Sequence, residues 1–135
     1  MKKQIVLMDR ARIERSIKRM AIQTWERLSK ESENELIVIG INERGEATAQ
    51  LLVEQLQKLM ETKITVHRYD VQGSTSQNNL PDCNDTFVLL VDDVIFSGKT
   101  MFRALSAVCN VYEPTSIEIA ALLDRGHRKY PLRTD

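Results

Sequence analysis

The residues best suited to chemistry lie in one run, VDDVIFSGKT, from Val91 to Thr100. Asp92 and Asp93 are hydrogen-bond acceptors, whereas Ser97, Gly98, Lys99 and Thr100 offer donors at the start of an expected helix. The Gly-Lys-Thr ending invites comparison with a nucleotide-triphosphate loop, G-x-x-x-x-G-K-[ST]. Counting back from Gly98 puts Asp93 where that pattern needs its first glycine. A carboxylate there would repel the phosphates the loop must enclose. A ligand with a phosphate at one end and hydroxyls a few ångströms away satisfies the whole run. Helix N-terminal amides suit the phosphate, and Gly98 permits close backbone approach. Asp92 and Asp93 can accept from the 2′ and 3′ hydroxyls of a sugar. Ribose 5-phosphate has that form.

Such a site needs elements to position it. Gln4–Met8 is a short apolar run, read as a strand, and Asp9 can cap the helix that follows. Ile13, Ile17, Met20, Ala21, Thr24 and Leu28 recur there at helical spacing. Leu36–Gly40 reads as a buried strand and Asn42–Gly45 as a loop. A helix over 46–60 should turn Ala47, Leu51, Leu52, Leu56 and Leu59 to the core. Lys63–Tyr69, Phe87–Val91 and Ser116–Leu123 are further strands. The polar segment 70–85 reads as a long loop, and Thr100–Val111 as a helix with Phe102, Leu105 and Val108 or Cys109 inward. Strands alternating with helices imply right-handed crossovers and a mostly parallel sheet with helices on both faces. Ligands of such sheets bind beyond the carboxyl ends of the strands. Segments 42–45, 70–85, 92–100 and 124–128 should therefore converge on one crevice.

Composition narrows the function classes. With 135 residues the chain fits one α/β domain spanning 1–135. Lys plus Arg equals Asp plus Glu at 19 each, so no bulk attraction to nucleic acid or membrane is expected. Cys83 and Cys109 lack metal-type spacing and read as a loop thiol and a buried thiol. His67 and His127 are the only histidines; neither is assigned as a general base, and His67 reads as structural. The absence of a signal peptide and of a long apolar run makes a cytoplasmic protein the expectation.

The run Val88–Thr100 resembles the phosphoribosyl-pyrophosphate (PRPP) motif of type I phosphoribosyltransferases: a hydrophobic strand, two acidic residues, a spacer, then [ST]-G-x-T. Leu123-Asp124-Arg125-Gly126-His127-Arg128, continuing through Pro131-Leu132-Arg133, is similar to a segment of the pyrimidine operon attenuation protein / uracil phosphoribosyltransferase family. Gly40-Ile41-Asn42-Glu43-Arg44-Gly45 resembles that family's pyrophosphate loop, with Glu43 where a small hydroxyl residue is usual. The resemblance implies a type I phosphoribosyltransferase fold with a reduced hood, since no Lys or Arg occurs from Val71 to Asp85 and the family's later strands do not follow Asp135.

It also implies roles. Asp92, Asp93, Val94, Ile95, Phe96, Ser97, Gly98, Lys99 and Thr100 would bind the ribose and 5′-phosphate of PRPP. Asn42, Glu43, Arg44 and Gly45 would hold pyrophosphate, in a loop that in this family often carries a non-proline cis peptide. Asp124, Arg125, Gly126 and His127 would border the base, and Arg68, Tyr69 and Asp70 would open the hood loop. Arg44, Asp92, Asp93 and Asp124 would be the catalytic set. Magnesium would be held mainly by PRPP, with Asp124 reaching it through water. Related 6-oxopurine transferases carry an Asp where Phe96 stands; Phe96 cannot exchange a proton, which favours uracil as the base.

The resemblance implies a homodimer or higher homo-oligomer, no membrane, and two alternatives to transferase activity. One is an RNA-binding transcription attenuator that senses nucleotides, with Arg15, Arg19 and Arg27 at positions where the family is basic and Ile22 where it has a histidine. The other is a catalytically silent PRPP- or nucleotide-binding protein.

Overall fold

The structure, a computed structural model, describes residues 10–30, 35–72, 80–95 and 98–124; for 94, 95, 123 and 124 it describes the backbone alone. The elements run α1 (Arg10–Lys30), β1 (Leu36–Ile41), α2 (Asn42–Met60), β2 (Val66–Tyr69), β3 (Phe87–Ile95), α3 (Lys99–Cys109) and β4 (Ser116–Asp124). The expected strand over 4–8 and the Asp9 cap lie outside the described residues.

All three strand pairings are parallel, in the order β2-β1-β3-β4. The chain steps outward from β1 to β2, then returns past β1 to β3. The order thus reverses between β1 and β3, the place where an open parallel sheet leaves a crevice beyond its carboxyl ends.

Strand alternation divides the core in two. Val38, Leu89, Val91 and Ala120 pack under Met20 and Ala21 of α1 and Ala49, Leu52, Val53 and Leu56 of α2. On the opposite face, Ile37, Ile39, Ile41, Val88, Leu90 and Ile119 meet Met101, Ala104 and Val108 of α3. Helices therefore cover both faces, as a parallel sheet of apolar strands requires.

Several expectations need correction. Asn42–Gly45 is the first turn of α2, not a loop. Ala47, Leu51 and Leu59 point outward, whereas Ala49 and Val53 point inward. Leucines and valines occupy several faces of this helix, so counting apolar residues did not fix its phase. In α3, Met101 and Ala104 are buried, while Phe102 and Cys109 are exposed. The thiols are therefore reversed: Cys83 is buried at 0% exposure within the α3-side core. β2 is shorter than expected, because residues 63–65 are not paired.

Candidate functional site at the reversal of strand order

The crevice is built by two glycines. A Cβ on Gly40 would lie 2.4 Å from the Glu46 Cα, and one on Gly45 would lie 2.6 Å from the Val91 carbonyl oxygen. Neither distance is tolerable for any side chain. Only glycine at both positions lets the first turn of α2 settle directly on β1 and β3. Gly40 is the register partner of Val91, so Asp92 and Asp93 follow immediately beyond the helix's seat.

That seating brings two expected site segments together. Arg44 Nη1 lies 3.6 Å from Asp93 Oδ2, with the Arg44 side chain 84% exposed and that of Asp93 24% exposed. Arg44 also anchors its own turn, its carbonyl accepting from Thr48 Oγ1 at 3.0 Å. Glu43, beside it, is exposed. Asn42 adopts a left-handed conformation, φ 58°, which asparagine tolerates better than most residues. No peptide bond among the described residues is cis, so the conformational cost in this turn falls on Asn42 rather than on the cis peptide the resemblance implied. The Asn42 side-chain oxygen accepts from the Val71 amide at 2.9 Å, reaching toward the turn that leaves β2.

Asp92 is the most perturbed carboxyl here. Burial, reinforced by side-chain hydrogen bonding with Asp93 and repulsion from it, pushes its pKa up to about 7, against smaller opposing effects of the Asp93 backbone amide and Arg44. Its Oδ1 accepts the Asp93 backbone amide at 2.8 Å, which fixes the side chain. A ligand that brings its own hydroxyl donors to these two adjacent carboxyls would favour the ionised form of Asp92.

The anion-binding end is partly described. Gly98 caps α3 at φ 83°, a conformation that favours glycine, and its carbonyl accepts from the Phe102 amide at 2.9 Å. The first turn of α3 holds no acidic residue, so its amides face no competing carboxylate from their own turn. Lys99 and Thr100 are exposed there. Phe96 and Ser97 lie outside the described residues, as do Arg125, Gly126 and His127. Val94, Ile95 and Asp124 are placed by their backbone in β3 and β4, where Ile95 pairs with Asp124.

Of the expected hood residues, Arg68 bonds through Nε to Asp70 Oδ1 at 2.8 Å and through Nη1 to Glu46 Oε1 at 3.4 Å. Tyr69 is half-buried against the α3-side core. Glu46 was not anticipated by sequence reasoning. Its signal is the i+4 spacing from Asn42, which puts both residues on one side of α2's first turns. His67 is half-buried in β2, and burial lowers its pKa, consistent with a structural residue.

Comparison with known proteins now gives the fold its family. The phosphoribosyl transferase domain matches residues 7–135. Bifunctional protein PyrR of Oceanobacillus iheyensis is 35% identical over 150 residues, covering 100% of this chain and 82% of that protein. The protein of that name from Bacillus subtilis is 34% identical over 150 residues, with the same two coverages. Among solved structures, the hypoxanthine phosphoribosyltransferase of Trypanosoma cruzi superposes with a TM-score of 0.81 at 18% identity, over 98% of this chain and 78% of that one. A hypoxanthine-guanine phosphoribosyltransferase from Bacillus anthracis gives 0.78 at 20% identity, over 99% and 79%. With these structures the chain shares the type I phosphoribosyltransferase fold, here a four-stranded parallel sheet flanked by helices. The chain belongs to the phosphoribosyl transferase domain family.

Proposed function

We propose that this protein transfers ribose 5-phosphate from PRPP to a nucleobase, uracil by preference, and releases pyrophosphate. The observation that carries the reading is the approach of Arg44 to Asp93 across the strand-order reversal. It sets a cation and free helix amides beside a carboxyl pair, and PRPP has a diphosphate next to ribose hydroxyls. The PyrR relatives are named bifunctional proteins, and the family match supports the reaction class.

In this reaction the C1–O bond to pyrophosphate breaks and a C1–N bond to the base forms, with the base's N–H proton passing to water. Positive charge develops on the ribose ring as the leaving group departs. Asp92 and Asp93 would hold the ribose hydroxyls and orient C1. Arg44 and the amides of 42–45 would neutralise the departing diphosphate, which is where electrostatic stabilisation counts most. Gly98, Lys99 and Thr100 would hold the 5′-phosphate end.

Magnesium fits this residue set. No cluster of three or more His, Cys, Asp or Glu side chains that could cage a metal occurs among the described residues. A carboxyl pair suits an ion that keeps several waters and binds through one or two carboxylates plus substrate phosphates. It would be held mainly by PRPP, with Asp124 reaching it through water, and would supply positive charge to the diphosphate.

The test is pyrophosphate release from PRPP and magnesium with uracil, hypoxanthine, guanine and xanthine offered separately. Release with uracil, lost in the Asp92→Asn/Asp93→Asn variant, is expected. No release with any base, while PRPP still raises the melting temperature, would overturn transferase activity and leave a silent nucleotide-binding protein.

One observation favours RNA binding as a second reading. Arg15, Lys18 and Arg19 are exposed along one side of α1, followed by Ile22 at 46% and Trp25 at 40% exposure. A basic stripe with an accessible indole is suited to phosphates and a stacked base. Arg27, by contrast, is paired with Glu118 at 3.0 Å, which reduces its charge toward RNA. Salt-dependent RNA affinity altered by uridine monophosphate is the matching test.

A further inference from the structure

The first turn of α2 and the turn leaving β2 are tied twice. Asn42 Oδ1 accepts the Val71 amide at 2.9 Å across 29 residues of chain. Arg68 spans Glu46 on α2 and Asp70 beside Val71, at 3.4 and 2.8 Å. The two ties leave α2 four residues apart, at Asn42 and Glu46, and land three residues apart, on Val71 and Arg68, so they resist both sliding and rotation of one turn against the other. The Asn42–Val71 bond is partly buried, whereas the Arg68 bridge is exposed. The buried bond is therefore the stiffer of the two, being less open to competition from water.

Asn42 meets two demands that few residues meet together. Its φ of 58° favours Gly, Asn or Asp, and the Val71 amide needs a short side-chain acceptor. Glycine would meet only the first. With its oxygen committed to the Val71 amide, the Asn42 side chain is fixed toward the turn that leaves β2.

We infer that the Asn42 side chain is a positioning group: its bond to Val71 couples the anion-holding first turn of α2 to the turn that leaves β2. The inference rests on the phosphoribosyltransferase reading of the crevice. Diphosphate held by Arg44 and its neighbouring amides stiffens residues 42–45, and Asn42 passes that stiffening to residues 70–72. Ribose 5-phosphate, held at the Asp92–Thr100 end, does not engage the tie.

The test is amide hydrogen exchange at Val71 by NMR, with and without magnesium pyrophosphate, in wild type, Asn42→Gly and Asn42→Asp. Affinities for magnesium pyrophosphate and for ribose 5-phosphate are measured in parallel. In wild type, Val71 should be protected and pyrophosphate should slow its exchange further. Asn42→Gly keeps the backbone conformation and removes the acceptor. It should speed Val71 exchange about tenfold and weaken pyrophosphate by a similar factor, leaving ribose 5-phosphate within about twofold. Asn42→Asp keeps an acceptor and should restore Val71 protection. Unchanged Val71 exchange in Asn42→Gly, or equal losses for both ligands, would overturn the coupling. So would pyrophosphate binding to wild type that leaves Val71 exchange untouched. Failure of wild type to bind either anion would overturn the functional reading beneath it, and the inference with it.

Discussion

Arg44 Nη1 stands 3.6 Å from Asp93 Oδ2, joining a helix that follows β1 to the carboxyl end of β3. The pair is long and its cation is largely in water. Such pairs contribute only about 0–1 kcal/mol. Arg44 can therefore leave Asp93 for a diphosphate at little cost. Replacing it tests binding separately from folding. Arg44→Ala should lower stability by less than about 1 kcal/mol while weakening PRPP at least about tenfold, as loss of a charge-assisted contact does. Thermal unfolding and titration of the same variant check both halves.

The raised pKa of Asp92 makes a pH prediction with a definite sign. Its carboxyl titrates near 7 in the folded protein, above the ordinary range near 3.9 in an unfolded chain. The folded state thus binds this proton more tightly. Its contribution to stability is full below about pH 4 and is lost as pH rises toward and through 7. Asp92→Asn carries no such charge. In the ligand-free protein the variant should melt on the order of 5 °C above wild type at pH 8, and the gap should close toward pH 5. A gap that is independent of pH would refute the burial of this carboxyl.

Ligand binding should respond in the opposite direction. Ribose hydroxyls donate best to an ionised carboxylate, so affinity for ribose 5-phosphate should rise between pH 6 and 8 more in wild type than in Asp92→Asn. Comparing the two proteins cancels titration of the ligand's own phosphate.

Gly40 makes the sharpest steric prediction. An alanine methyl would fall 2.4 Å from the Glu46 Cα, against backbone that cannot rotate away. Gly40→Ala should cost on the order of 3 kcal/mol or more, by forcing α2 off the sheet. Because that helix carries Arg44, PRPP affinity should fall with it. Chemical denaturation and titration report the two effects.

The thiols should behave very differently toward a maleimide. Cys109 is exposed on α3, whereas Cys83 is buried, donates to the Pro81 carbonyl at 3.4 Å, and has its pKa pushed up to about 11. Cys109 should react within minutes in the native protein. Cys83 should react only on unfolding, because the thiolate is the reactive form and burial disfavours it.

The order of elements was more legible in the sequence than their packing. VDDVIFSGKT suggested a sugar-phosphate ligand because acceptors for hydroxyls and donors for an anion occur there in a fixed order, and the structure brings Asp93 of that run to Arg44. The apolar strands announced a parallel sheet, and three parallel pairings follow that reading. Gly45 was misread as a loop residue, because a helical glycine whose purpose is contact with Val91 looks the same in sequence as a turn glycine. The phase of α2 was lost among adjacent leucines and valines, and Phe102, set inward by its spacing from Leu105 and Val108 or Cys109, is exposed while Met101 is buried. The ties from Asn42 to Val71 and from Glu46 to Arg68 span 29 and 22 residues, beyond any local pattern. Strand order, which brings those segments together, is set by which faces α1, α2 and α3 cover, and only the folded chain displays it.

The most direct test of the central claim is calorimetric titration of PRPP, with magnesium, into wild type, Arg44→Ala and Asp92→Asn/Asp93→Asn. The account predicts one PRPP per chain in wild type, weaker binding in Arg44→Ala, and loss of binding in the double variant. PRPP binding that is unchanged in both variants, or absent from wild type, would contradict the placement of the site at the reversal of strand order.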